Sequence, residues 1–200
     1  KTPLDLNGLQ FAFQKEFPRF RTNEQHDVQE TILCIIDILE RSQPIVKKWF
    51  YGKKIQETIW PRGKTMKEED FSIHLMSYKG NNDMGKMLEE SIDWNVLENF
   101  QDTDGNIYHA ATTRMLFSKL PPIFMLSFDT KSHIKIVDKL VLNDAVYNLS
   151  ACALHTGIQN DGHYMTYIRR KTKWYFINDE RVDERTPPLE GSYYFMIYSS

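Results

Sequence analysis

The stretch from Ala151 to Val182 constrains the fold of this 200-residue chain more than any other. Its pattern predicts three short strands. The first ends near His155, the second begins at His163 and alternates aromatic with polar residues, and the third is the run Trp174–Ile177. Two glycines and two turn-forming residues within 156–162 predict the loop between the first two strands. The stretch is therefore expected to be a small antiparallel sheet.

The ends of the second and third predicted strands carry side chains suited to catalysis. Because these strands are antiparallel neighbours, His163 at the start of one should lie beside Asn178 and Asp179 at the end of the other. An imidazole oriented by an amide or a carboxylate can take the proton of a nucleophilic thiol. A single histidine at a strand edge is more often an ordinary structural residue, so the hypothesis depends on these neighbours. Gly162 is expected to leave room for a substrate backbone.

The same stretch resembles the histidine box of the ubiquitin-specific proteases, which are papain-like deubiquitinases. The family patterns H-S-G, G-G-H-Y and W-Y-x-F-[DN]-D-x-x-V correspond here to His155–Gly157, Asp161–Tyr164 and Trp174–Val182. Thr156 replaces the family's Ser, Asp161 replaces its first Gly, and Phe-Ile replaces x-Phe in the third pattern. None of these differences removes a chemical group that the mechanism needs.

The resemblance implies an activity and a set of roles. The reaction would be hydrolysis of the bond after the C-terminal glycine of ubiquitin. His163 would be the general base and acid, and Asn178 would be the third member of the catalytic triad. Asp179 would add negative charge near the imidazole or help to hold the oxyanion. The implied partners are ubiquitin or ubiquitinated proteins, and no cofactor is implied.

A second resemblance lies at the start of a predicted helix over residues 25–41. The segment Gln25–Glu30 is similar to the family's Q-Q-D-x-x-E box, and its Q-H-D-V-Q-E form is found in the Usp7-like branch. This match implies that Gln25, Asp27, Phe128 and Tyr164 line a channel for ubiquitin's extended tail. Two simpler interpretations stay open. Asp27 could only compensate the helix dipole, and Phe128 could only be core packing.

The rest of the chain predicts an α+β fold. Further helices are expected near residues 6–16 and 84–90, with a helical continuation over 94–100 and a charged loop over 61–69. Residues 22–24 have the side chains of a helix entry, and apolar residues around most of the helix that follows predict that it is largely buried. The remaining periodic runs predict strands.

The resemblance also implies how the fold is divided. The whole chain, residues 1–200, would be one papain-like domain. Residues 1–50 would form a helical thumb, and residues 51–200 would form the β-rich fingers and palm.

Composition excludes several classes of protein. A chain that is 41% hydrophobic can bury one sizeable core, and a net charge of −2 argues against a nucleic-acid surface. No apolar run reaches the roughly 18 residues that a membrane span needs. Two cysteines predict a reducing compartment, so the protein is expected inside the cell, in the cytoplasm or nucleus. Two cysteines also cannot form the paired C-x-x-C zinc site of many family members, so no metal is expected.

The family's cysteine box, N-x-G-N-T-C-Y-x-N-S, has no counterpart before Gln25. Cys34 falls within an apolar helical run, where a thiol is usually an inert core residue. The nucleophile is therefore expected on a segment upstream of Lys1. Two alternatives stay open: a catalytically inactive module that binds ubiquitin or a scaffold partner, and an unrelated α/β interaction domain in which the two boxes occur by coincidence.

Overall fold

Four α-helices occur in the described part of the chain. Two of them, at residues 7–16 and 84–92, confirm the helices predicted near residues 6–16 and 84–90. None of these helices is long and apolar enough to cross a bilayer. The computed structural model describes residues 6–21, 25–129, 133–158 and 161–200, without the side chains of residues 158 and 161. The helices are α1 (Asn7–Glu16), α2 (Val28–Ser42), α3 (Val46–Phe50) and α4 (Met84–Ile92).

A short 3-10 helix (Pro18–Arg21) and fourteen strands occur in the same residues, and the strands form three sheets. The strands are β1 (Gly52–Trp60), β2 (Gly63–Phe71), β3 (Ile73–Met76), β4 (Asn95–Gln101), β5 (Ile107–Lys119), β6 (Ile123–Phe128), β7 (Ile134–Lys135), β8 (Lys139–Leu142), β9 (Ala145–Ile158), β10 (Asp161–Arg170), β11 (Lys173–Asn178), β12 (Arg181–Glu184), β13 (Glu190–Gly191) and β14 (Tyr193–Ser199).

The largest sheet has eight strands in the order β12-β11-β10-β9-β14-β6-β3, and β8 pairs with β9 beside this path. All of its pairs are antiparallel except β3 with β6. The three strands predicted between residues 151 and 182 are confirmed as β9, β10 and β11. This sheet carries the candidate site at one end of β10.

A separate four-stranded sheet, in the order β2-β1-β5-β4, corrects two predictions. Residues 61–69 were predicted as a loop, but most of them form β2, and Trp60 pairs with Gly63 across a two-residue turn. Residues 94–100 were predicted to extend a helix, but residues 95–101 form β4 and pair with β5. Both segments are edge strands, in which pairing with a neighbour outweighs a weak local preference.

Helix α2 begins at Val28 because the Asp27 side chain caps it. The backbone N–H groups of Gln29 and Glu30 donate to the Asp27 carboxylate at 2.6 and 3.4 Å. A carboxylate at this position satisfies N–H groups that have no partner within the helix, and the helix dipole favours its charge. Gln25 therefore precedes the helix instead of opening it. The predicted entry residues 22–24 lie outside the described residues.

The prediction that this helix is largely buried is wrong. Only Cys34 and Ile36 of α2 are buried, whereas Ile35 and Leu39 are 43% and 42% exposed. One side of α2 packs on the large sheet, and another lines an open apolar groove of about 770 Å³ shared with α1. The apolar residues around α2 thus form two faces. One face packs on the sheet, and the other is left open by the described residues.

The packed face of α2 fixes the helix on the sheet. Ile36 lies in a buried cluster with Met125 of β6, Ala153 of β9 and Phe195 of β14, and Val46 of α3 joins them. Burial of one such aliphatic side chain stabilises the fold by roughly 1.5–3 kcal/mol. Polar contacts then join the N-terminal end of the helix to the strands around the candidate site.

Candidate active site

His163 and Asn178 meet at the end of the β10–β11 pair. The ladder between these strands runs from Arg170↔Lys173 to Thr166↔Ile177, and the two side chains lie just beyond its last pair. The His163 Nε2 atom is 2.5 Å from Oδ1 of Asn178. The juxtaposition expected from two antiparallel neighbours is therefore present.

The contact with Asn178 determines which nitrogen of His163 can act as a base. An amide oxygen only accepts hydrogen bonds, so Nε2 must be the protonated ring nitrogen that donates to it. The neutral imidazole then has its lone pair on Nδ1, on the opposite side of the ring. The His163 side chain is 44% exposed, so a reacting group has access to it. Such an imidazole can take a proton from a thiol placed beside Nδ1.

Asp179 lies farther from the imidazole than Asn178 does. Its Oδ2 atom is 3.9 Å from His163 Nε2, and its side chain is 79% exposed. The residue occupies the left-handed region, with φ 51°, at the turn into β12. A carboxylate this exposed is screened by water, so it attracts an imidazolium weakly and does not fix the ring orientation.

Gly162, directly before His163, is packed between two other residues. Its backbone N–H donates to Gln25 Oε1 at 2.7 Å, and its carbonyl accepts from Gln25 Nε2. On another side, a Cβ added to Gly162 would lie only 2.1 Å from His155 Nε2. The expectation that this glycine leaves room for a substrate backbone is corrected, because the buried His155 ring takes that space.

Both carboxylate oxygens of Asp27 are engaged within the protein. Oδ1 accepts from the cap N–H groups of α2, and Oδ2 accepts from the Tyr194 hydroxyl of β14. Burial, followed by this bond to Asp27 and by its charge, raises the pKa of Tyr194. Asp27 therefore joins the start of α2 to the large sheet in the free protein.

Tyr164 lies next to this junction and is half-buried. Its ring centroid is 4.4 Å from that of His155 and 5.9 Å from that of Tyr194. Burial and then the charge of Asp27 raise the pKa of the Tyr164 hydroxyl, whereas a hydrogen bond from the backbone of Val28 lowers it.

Phe128, the remaining residue expected in the tail channel, is a core residue. Its side chain is 1% exposed and packs in the main hydrophobic cluster. The assignment of Phe128 to a substrate channel is therefore corrected in favour of core packing, because a ring with almost no exposed surface cannot contact a partner. The neighbouring Ser127, also buried, donates to Gln29 Oε1 of α2 at 2.7 Å.

Two residues at the site had no predicted role. His155 belongs to one of the family patterns, and Tyr194 lies in one of the remaining periodic runs that predict strands. His155 is 4% exposed, and the rings of Tyr164 and Tyr194 lie against it. The aromatic residues that alternate along β10 and β14 were the available signal, but the sequence alone does not show that these strands meet around one histidine.

Neither cysteine is placed as a nucleophile for His163. Cys34 is 5% exposed, and its Sγ accepts from Arg19 Nη2 at 3.1 Å. Cys152 is 2% exposed, and burial raises its pKa to about 12. Cys152 pairs with Tyr167, four residues along β10 from His163, which is about 13 Å at strand spacing. The prediction that Cys34 is a buried core residue is confirmed.

No metal centre is formed by the described residues, since no group of three or more His, Cys, Asp or Glu side chains comes close enough together. His74 is buried, and its Nε2 atom is hydrogen-bonded to Ser91 Oγ at 2.8 Å. The polar groups beside the His163 imidazole are the Asn178 amide and the exposed Asp179 carboxylate, which suit acid–base chemistry.

Comparisons with known proteins bear on the family and the fold of the chain. The family model described as ubiquitin carboxyl-terminal hydrolase matches residues 2–198. Similar solved structures include the SAGA DUB module Ubp8/Sgf11/Sus1/Sgf73, bound to monoubiquitin in one case (TM-score 0.82) and to ubiquitin aldehyde in another (TM-score 0.81). In both, the sequences are 17% identical, and the match covers 96% of this chain and 52% of the other chain.

The chain therefore spans about half the length of these two structural relatives. At this identity, the likeness shows the fold, and it confirms the expected α+β architecture of a ubiquitin-specific protease domain. The Usp7-like branch suggested by the Gln25–Glu30 segment is not tested by these matches and stays a prediction.

Proposed function

The chain belongs to the ubiquitin carboxyl-terminal hydrolase family, and on that premise we propose that it provides the catalytic base of a thiol hydrolase acting on ubiquitin. The bond cleaved is the amide or isopeptide bond after ubiquitin's C-terminal glycine. The observation that carries the proposal is the hydrogen bond between His163 Nε2 and Asn178 Oδ1, which leaves Nδ1 as the basic nitrogen.

The proposed reaction uses His163 first as a base and then as an acid. Nδ1 takes the proton of a cysteine thiol while the sulfur bonds to the carbonyl carbon of the terminal glycine. The imidazolium returns that proton to the departing amine as the C–N bond breaks, which leaves a thioester. Water then attacks the thioester, His163 again relays the proton, and the products are the ubiquitin carboxylate and the free thiol.

Asn178 has the orienting role in this proposal. Its amide oxygen holds Nε2–H and so fixes both the tautomer and the plane of the ring. An amide stabilises the imidazolium less than a carboxylate does. Asp179 is proposed to add part of the missing charge, within the limit set by its exposure.

The nucleophile is proposed to come from a cysteine segment upstream of Lys1. Cys34 and Cys152 are both buried, and burial keeps the Cys152 thiol protonated at neutral pH. Neither is therefore suited to attack a carbonyl carbon. The two free cysteines also support the proposal that the protein works inside the cell.

The tail of ubiquitin is proposed to pass between the N-terminal end of α2 and the start of β10. Asp27 and Tyr164 lie there, at the junction of helix and sheet, together with Gln25. The helix dipole favours the negative charge of Asp27, and this carboxylate would attract the basic residues of an extended tail.

The chain is proposed to form one domain with a helical thumb over residues 1–50 and fingers and palm over residues 51–200. In support, α1, α2 and α3 all precede residue 51, and every strand within the described residues follows it. In this division the four-stranded sheet would be the fingers and the eight-stranded sheet the palm. One helix, α4, lies within the β-rich part.

A second candidate function is binding of ubiquitin without cleavage. The burial of both cysteines is the observation that favours it. In that case the His163–Asn178 pair would be a structural remnant.

A ubiquitin derivative with an electrophilic C-terminus separates the two functions. We expect it to label the protein that includes the upstream segment, and we expect the His163→Ala variant to react at least about 100-fold more slowly. His133→Ala, a change at an exposed histidine, is the matched control and should react normally. Tight binding of ubiquitin by calorimetry with no labelling of either form would establish the binding module instead.

A further inference from the structure

His163, the candidate base, lies near the start of β10, where this strand pairs with a neighbour on one side only. The β10–β11 ladder stops at Thr166, whereas the β10–β9 ladder continues through His163↔Thr156 and Gly162↔Gly157. Among the described residues, therefore, no strand lies beside the first residues of β10 on the β11 side. Strand ends with one neighbour fray more readily than paired ones.

The Gln25 side chain occupies the position that a further strand would take. Its amide accepts from the Gly162 N–H at 2.7 Å and donates to the Gly162 carbonyl, so both backbone groups of one residue are satisfied together. Neighbouring strands bond in the same reciprocal way. Gln25 lies 137 residues away in the sequence, so this contact joins two distant parts of the chain.

Gln25 is itself held in place by the residues that follow it. Asp27 caps α2 and accepts from Tyr194, which fixes the backbone two residues after Gln25. On another side of Gly162 lies the ring of His155, buried to 4% exposure and in contact with Tyr164. The Gly162 peptide is thus confined by an amide and by a ring.

We propose that Gln25 is a positioning residue, whose amide clamps the Gly162 peptide and thereby aligns the His163 imidazole with Asn178. The effect of this alignment on catalysis rests on the proposed function. The contact between Gln25 and Gly162 does not depend on it. Gln25 acts through the backbone of Gly162. Its loss should therefore lower the turnover number by more than it weakens the binding of ubiquitin.

Removal of the amide provides the first test. In Gln25→Ala, the Gly162 N–H should exchange with solvent about five- to tenfold faster, the effect of losing one net hydrogen bond. The ring nitrogen shifts of His163, measured by NMR, should show a mixture of both neutral tautomers instead of one. Gln43→Ala, an exposed glutamine at the other end of α2, is the control and should change neither signal.

A near-isosteric change tests the reciprocal bonding. In Gln25→Glu, a carboxylate can accept from the Gly162 N–H but has no proton to donate to its carbonyl, whereas a protonated carboxyl group can do both. Above its pKa the introduced carboxylate would repel the Gly162 carbonyl oxygen and leave this position, so the Gly162 N–H should lose protection at neutral pH. That protection should recover as the pH falls through about 4.3, the ordinary pKa of Glu. Wild type should show no such recovery.

These signals separate the clamp from the catalytic proposal. Unchanged Gly162 exchange and an unchanged His163 tautomer in Gln25→Ala would overturn the clamp, whatever the enzyme activity. A changed exchange rate together with a probe reaction that does not depend on His163 would leave the clamp standing and refute the proposed function. A large loss of ubiquitin affinity in Gln25→Ala, with normal Gly162 exchange, would instead make Gln25 a substrate contact.

Discussion

At the scale of single residues, the candidate site depends on which atom each polar group already uses. His163 uses Nε2 for Asn178, Asp27 uses both oxygens within the protein, and Gln25 uses its whole amide on Gly162. The residue types and the His163–Asn178 pairing could be predicted from the sequence, because strand register follows from local pattern. The contacts across 137 and 167 residues could not, since no local signal specifies them.

Gly162→Ala should destabilise the protein by about 1–3 kcal/mol, because the new Cβ would meet His155 Nε2 at 2.1 Å. The measurement is urea unfolding. The double variant Gly162→Ala/His155→Ala should lose less stability than the two single variants added together, because truncation of the ring vacates the space that the methyl group needs. Strict additivity, or a harmless Gly162→Ala, would contradict this packing.

At the scale of elements, α2 connects the helical part of the chain to the large sheet. Its sequence correctly predicts a helix, but it predicts burial where the structure has an open apolar groove. Periodicity shows which residues are apolar and does not show whether a second surface covers them. Edge strands β2 and β4 were missed for a related reason, because their conformation is set by pairing with β1 and β5.

Asp27→Ala should lower the free energy of unfolding by about 1 kcal/mol, the usual cost of a lost N-cap, and should lower the melting temperature. Asp27→Asn keeps a cap acceptor and should lose less. The tail-channel assignment predicts that Asp27→Ala also weakens ubiquitin binding while the protein stays folded. Asp27→Asn is therefore the control for that binding measurement. Equal stability of Asp27→Ala and wild type would show that the capping contacts contribute nothing.

At the scale of the whole molecule, the fold class and the strands that carry the site were predictable, because three adjacent strands lie within one stretch of sequence. The core joins residues that no motif connects. His74 of β3, for example, is 5% exposed and bonds to Ser91 of α4 beside the rings of Phe117 and Phe124. Burial lowers the pKa of His74 from 6.5 to about 4, so its neutral form is part of the folded state.

Stability should therefore fall as the pH is lowered from about 6.5 to about 4. In this window the unfolded chain binds a proton at His74 and the folded chain does not, so acid favours unfolding, by up to about 3 kcal/mol. The free energy of unfolding of wild type and of His74→Gln, measured with a chemical denaturant across this pH range, separates the contribution of His74 from that of the carboxylates. Identical pH slopes for the two proteins would contradict it.

The central claim is that His163, oriented by Asn178, is the base of a thiol hydrolase. Its most direct test is the rate of fluorophore release from a ubiquitin C-terminal amide by the protein that includes its cysteine segment. His163→Ala should lose about 10²- to 10⁴-fold in turnover, Asn178→Ala should lose less, and Asn178→Asp should stay active, because a carboxylate also orients the ring. A His163→Ala enzyme that works at the wild-type rate would contradict the account.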